Sequence, residues 1–325
     1  MGMNRNLIAL TTPPMTSARW FLRLVLASAL SSVPAAAASY FYAVGSDNHL
    51  YEVSDTGVQR DLRDLSGLVG VTPVNGAAFD AGRSQFFFAV PGAGSANGSL
   101  WYWNQATNDT PVSLGLLPTA RPDNGAYWDG AYWYVQQGSN TLHRVALNYT
   151  AGSPTGLGAA TTASLVHTPV LSGGDLYFGD IVINAVSGTS ATLYGATANG
   201  NQFFSVSLSN GALSGSLNAS LLGTVGSAGI DKMQLSFDSA GTTLYGHSYS
   251  STGQPAGQWF TINTTNGTLS SPLFTTLTAG ATNGFQDIGG ASATATPSAG
   301  VPERGPWLAL LSVTLVSLVL ARRRR

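Results

Sequence analysis

The chain has 325 residues, room for one large domain or two small ones, and its 44% apolar content provides a buried core and excludes wholesale disorder. Only 9% of residues are charged, and between Ser39 and Ser298 six scattered cations (Arg60, Arg63, Arg83, Arg121, Arg144, Lys232) face fourteen acids, a net of −8 that excludes a dense phosphate-binding footprint for nucleic acid. The absence of cysteine excludes disulfides, thiol catalysis and thiolate metal sites.

The first predicted element is a targeting helix. From Met15, which is also an alternative start, Arg19 and Arg23 supply a positive front, Leu24 to Leu30 an apolar centre, and Ala36-Ala37-Ala38 a small-residue cleavage site. This is the layout of a secretory signal peptide. Residues 1–38 are therefore expected to be removed, with cleavage around Ala36 and Ala38 and a mature chain from Ser39.

The body, 39–292, reads as repeats. Five segments share a large apolar residue followed three positions later by a β-branched or aromatic one: Leu50–Val53, Leu100–Trp103, Leu142–Val145, Phe203–Val206 and Trp259–Ile262. Their last residues are 50, 42, 61 and 56 positions apart, and each is followed by a turn rich in Gly, Asn or Asp. A second strand precedes each one: YFYAV, QFFFAV, AYWYV, ATLYGA and TTLYGH. Four units show an earlier strand still, in NGAAFDAG, NGAYWDG, GDIVIN and MQLSFDSAG. Short aromatic and β-branched runs between Gly/Asn/Asp/Ser clusters are strands, and no amphipathic helical pattern interrupts them.

Repeats of 40–50 residues with about four strands each predict an all-β fold, a β-propeller of five blades. A six-bladed ring and a two-sheet sandwich are the alternatives. The first unit lacks an innermost strand, and Asn283–Ser292 resembles the opening strand of the others. It is predicted to pair with the first blade and close the ring, which removes an exposed sheet edge. Residues 293–300 then read as a flexible linker.

The tail, 301–325, differs from everything before it. Pro306 to Ala321 is a 16-residue apolar run, about 24 Å as a helix, and Arg322, Arg323, Arg324 and Arg325 follow. This predicts a short transmembrane helix with its arginines on the cytoplasmic side. Val301-Pro302-Glu303, then Trp307, the apolar run and the terminal arginines resemble the PEP-CTERM sorting signal of Gram-negative bacteria and its IPTL-CTERM relative. Arg304 stands where the PEP form has its second proline. The resemblance covers only these 25 or so residues. It implies handling by an exosortase-type transpeptidase at the inner membrane, delivery to the periplasm, cell surface or extracellular matrix, and exopolysaccharide or another surface protein as a partner.

The side chains in the body suggest binding more than catalysis. Asp80, Asp129 and Asp238 hold matching places before glycine-containing turns, where carboxylates bond backbone amides. His49, His143, His167 and His247 show no metal-ligand spacing, no calcium loop is present, and no cofactor is implied. Glu52 is the single glutamate of the body; an aspartate can serve as the acid of a glycosidase pair, but none stands in an evident constellation, and no G-x-S-x-G nucleophile elbow is present. No catalytic or metal site is assigned. Aromatic residues crowd two neighbouring units, and of these Trp101, Trp103, Trp128 and Trp133 are the candidates for stacking on a ligand. The reading is an exported propeller that binds or builds. The alternative is a secreted propeller hydrolase or lactonase that uses aspartates and a divalent cation.

Overall fold

The computed structural model describes residues 38–68, 73–92, 97–119, 122, 124–136, 139–167, 178–197, 202–225, 232–250, 255–278 and 282–297. The chain divides into two units, Met1–Ala37 and Ala38–Arg325, and the account below concerns the second. The expected signal helix, including Ala36, and the whole sorting tail, Val301 to Arg325, lie outside the described residues. Ala38 is exposed coil. Among the described residues no helix is long and apolar enough to cross a membrane, and the one helical element is a 3₁₀ turn at Ser66–Leu68.

The protein is all-β. The first sheet holds β1 (Tyr40–Val44), β2 (His49–Ser54) and β3 (Gln59–Asp64). The second holds β4 (Asn75–Asp80), β5 (Gln85–Val90), β6 (Ser99–Asn104) and β7 (Val112–Leu116). Then come β8 (Ala126–Trp128), β9 (Ala131–Val135), β10 (Thr141–Thr150) and β11 (Ser153–His167). They are followed by β12 (Phe178–Ala185), β13 (Ser190–Thr197), β14 (Gln202–Ser209) and β15 (Ser216–Thr224). β16 (Met233–Phe237), β17 (Leu244–Ser248) and β18 (Trp259–Ile262) form a three-stranded sheet, and residues 268–276 run irregularly beside β18 through isolated bridges. Every strand identified in the sequence is present. The polar outer strands β3, β7, β11 and β15 were not individually legible, and β10 continues through a stretch expected to turn.

The last strand, β19 (Asp287–Ser292), does not stay with the late sheets. It pairs antiparallel with β1, with Tyr40 opposite Ser292 and Val44 opposite Asp287, and completes a four-stranded sheet in the order β19-β1-β2-β3. The predicted closure is thus present. The innermost strands form a cycle: β19 lies beside β4, β4 beside β8, β8 beside β12, β12 beside β16, and β16 beside β19. One join was not expected. The outer strands β11 and β15 pair in parallel from Ser164–Ser216 to His167–Ala219, fusing two four-stranded units into one eight-stranded sheet.

Burial explains the sequence gradient within each unit. β4 and β5 are buried at every position because sheets cover both of their faces, whereas β3 and β7 contain no fully apolar stripe and face water. Five hydrophobic clusters fill the gaps between successive units. Tyr42 and Leu50 meet Phe86 and Trp103 in one, Phe87 meets Tyr132 and Tyr134 in the next, and Trp133 meets Leu193 and Phe204 in the third. Phe203 meets Leu235 and Phe260 in the fourth. In the fifth, Phe41 and Tyr51 of the first sheet meet Trp259, Phe285 and Ile288, so the packing returns to its start. Near the axis the strands converge and only glycine fits: a Cβ on Gly289 would stand 2.6 Å from the Ala78 nitrogen. The β8–β9 hairpin turns on Asp129–Gly130, both at positive φ (52° and 67°), the pattern of a type I′ turn.

Candidate functional site

The axis of the ring carries two features, one at each end of the inner strands. Towards their C-terminal ends lies a cavity of about 300 Å³. All five inner strands contribute to it, through Phe79, Tyr127, Asn184, Phe237 and Gly290 among others. Much of the remaining lining is glycine, alanine and serine from the same strand ends. Its one carboxylate, Asp238, is occupied: Oδ1 accepts the Thr242 amide at 2.7 Å and Oδ2 the Thr242 hydroxyl at 2.9 Å. Asn184 donates to the Gly241 carbonyl at 3.2 Å. Beyond the lining Tyr127, Arg83 donates to its hydroxyl at 3.1 Å and to Asp80 at 2.9 Å, while the guanidinium lies 4.5 Å from the centre of the Tyr149 ring.

Towards the N-terminal ends, two fully buried carboxyls meet. Asp180 of β12 accepts the Ile181 amide at 2.7 Å and, from the neighbouring inner strand β16, the Leu235 amide at 2.6 Å. Asp287 of β19 repeats the arrangement with Ile288 at 2.8 Å and with Ala77 of β4 at 2.7 Å. The two carboxyls lie close enough to influence one another directly. Burial pushes both carboxyls up, Asp287 to about 7, and the charge of Asp287 adds to the rise at Asp180; the backbone amides oppose it. Sequence reading missed both residues. Their signal was an Asp or Asn near the start of four inner strands (Asn75, Asn124, Asp180, Asp287), a position where a side-chain acceptor can join adjacent strands.

The predicted site residues are placed as follows. Trp103, Trp128 and Trp133 are buried in the clusters between sheets, so their rings serve packing, and a ligand cannot reach them. Trp101 alone of the four is partly exposed, its indole N–H donating to the Ser99 hydroxyl at 2.9 Å. Asp80 and Asp238 bond turn amides as expected. Asp129 instead supplies the positive-φ backbone of its turn and lies 3.5 Å from Arg144. The histidines stand apart. His49 pairs with Asp61 at 2.8 Å, His167 packs near Phe204, and His143 stacks flat on Tyr134 at 4.6 Å with burial lowering its pKa to about 4. His247 is fully buried between Trp259 and Phe285, and burial lowers it to about 3. Among the described residues no group of three His, Asp or Glu converges as metal ligands would.

Glu52 does structural work. Its Oε1 accepts Arg60 at 2.8 Å, and its Oε2 accepts the Tyr42 hydroxyl and the Thr296 amide. Arg60 also donates to the Thr296 carbonyl, and Gln105 to that of Thr294. The first five residues of the expected linker, 293–297, are therefore tied to the body, and the rest of it lies outside the described residues.

No known protein family matches the chain, and no curated protein matches it. Its likeness is to solved structures and is slight. An auxiliary nutrient binding protein from Bacteroides thetaiotaomicron aligns over 72% of this chain and 64% of that one, at 10% identity and a TM-score of 0.39. The hydrazine synthase of Kuenenia stuttgartiensis aligns over 60% and 47%, at 12% identity and a TM-score of 0.34. A quinonprotein alcohol dehydrogenase-like protein, also from Bacteroides thetaiotaomicron, aligns over 77% and 56%, at 11% identity and a TM-score of 0.32. The chain thus spans less than two thirds of the length of each. None of these likenesses assigns a ligand or an activity to the residues described above.

Proposed function

We propose that this chain is an exported five-bladed β-propeller that works by binding. In this reading a signal peptide is cleaved near Ala36 and Ala38, and the tail anchors the precursor in the inner membrane. An exosortase-type transpeptidase then acts at the Val301-Pro302-Glu303 motif, and the body reaches the periplasm, cell surface or extracellular matrix. Five blades are supported by the cycle of inner strands and by five inter-sheet clusters, the last of which joins the final unit to the first.

The observation that carries the binding role is the axial cavity. It is lined mostly by small and apolar residues with Phe79, Tyr127 and Phe237 among them, and its one carboxylate is committed to turn hydrogen bonds. A hydrolase would need carboxylates free to act at the channel. The two that meet, Asp180 and Asp287, are sealed, and their oxygens are turned to backbone amides. A surface glycan suits such a mouth, and with a body of net charge −8 a neutral one is favoured over a uronate-rich one.

The test is a glycan array probed with protein recovered from the producing cell surface. Neutral glycans are expected to bind. Ala240→Trp, which fills the mouth, is expected to weaken that binding by a factor of ten or more. Binding unaffected by Ala240→Trp would remove the mouth from the account, and an array without any bound glycan would remove the glycan partner.

A further inference from the structure

Asp180 and Asp287 take no part in the binding role, yet they lie where the ring is completed. β19 is the strand that closes the first sheet, and Asp287 is its first residue. Asp180 comes from β12, with β16 standing between the two in the cycle of inner strands. Each carboxyl accepts one amide from its own strand and one from a neighbouring inner strand, so together they tie β19 to β4 and β12 to β16. Both oxygens of each group face amide donors, so a hydrogen bond between the two carboxyls requires a carboxyl proton.

We propose that Asp180 and Asp287 share a proton and form a proton-dependent clasp on ring closure. When that proton leaves to solvent, two carboxylates face one another in a sealed site and the seat of β19 loosens. Of the described residues, the other titratable group facing the pair is Tyr132 of β9, a fully buried phenol that donates to the Gly76 carbonyl at 2.6 Å and carries no charge at these pH values. Tyr134 lies behind it. Lys232, just before β16, holds its ammonium 5.4 Å from the centre of the Tyr249 ring. Among the described residues no cation faces the pair to offset a second negative charge, and like charges in such a site do not both ionise.

The direction of the pH effect follows. A carboxyl whose folded pKa is raised keeps its proton in the native state while the unfolded chain loses it above pH about 4, so stability falls as pH rises. From pH 7 to 9 the lowered His143 and His247 are neutral in both states, which leaves the slope to the carboxyl pair. The melting temperature of the full chain is expected to drop on the order of 5 °C across that range. In Asp180→Asn the amide N–H replaces the shared proton, and the melt is expected to stay level. Equal slopes in the two proteins would overturn the clasp. Asp180→Asn gives up one acceptor for a backbone amide, so a second readout uses the wild type alone. An infrared carbonyl band of a protonated carboxyl should persist at pH 8, where exposed Asp and Glu are ionised. Its absence would equally overturn the proposal.

Discussion

At the scale of the residue, the body buries several polar side chains without charging them. His247 is the clearest. It has no exposure, an edge contact with Trp259 and a stacked contact with Phe285 at 5.0 Å each, and burial that lowers its pKa to about 3. A histidine lowered in the folded state contributes stability above its unfolded pKa of 6.5, and that stability is lost as pH falls below this value. Between pH 7 and 4.5, His247→Leu is therefore expected to lose about 2–3 kcal/mol less stability than wild type in urea titrations. An equal loss in both proteins would place the acid sensitivity elsewhere. This scale was the least legible in the sequence. The turn roles of Asp80 and Asp238 follow from the Gly that comes after them. Nothing local distinguishes a sealed carboxyl such as Asp180 from a solvated one, because its burial is created by strands far away in the chain. The tryptophans were hard to place for the same reason. Alternation along a strand puts rings on two faces, but it does not say that in this fold both faces are covered.

At the scale of the element, legibility tracks burial. Inner and middle strands such as YFYAV and WFTI are read directly from their apolar runs, whereas QRDLRD, at the outer edge of the first sheet, carries no such pattern because water covers it. The parallel seam between β11 and β15 was invisible for a related reason, since its paired residues, Ser164-Leu165-Val166-His167 and Ser216-Leu217-Asn218-Ala219, mix polar and apolar side chains without a continuous apolar run. The closing strand was legible because one unit lacked a strand and one strand lacked a unit. Its contribution can be measured by comparing a chain ending at Pro297 with one ending at Ala281. The shorter chain loses Phe285, Ile288 and Ala291 from the fifth cluster and leaves β1 as an open edge. Large core deletions of this kind cost several kcal/mol, so its melting temperature is expected to be at least about 10 °C lower. Equal melts would show that β19 closes nothing of consequence.

At the scale of the whole molecule, the protein as proposed joins a folded body to a tail that serves delivery. If the tail is removed during sorting, mass spectrometry of the native surface form should recover peptides up to the tied segment at Thr294–Pro297 and none from Leu308 to Ala321. Finding that apolar peptide in the surface form would mean the tail is retained. The pairing of the first strand with the last also bears on timing. Tyr42 donates to the carbonyl of Thr294, a residue 252 positions later. At a synthesis rate of about 5–20 residues per second, the amino-terminal edge therefore waits on the order of 10–50 s for its partner to be made. Throughout that interval a growing chain rich in exposed aromatic strands has an unsatisfied margin at its oldest end, so a chaperone that covers β1 during export would act on the most vulnerable point in the life of this protein.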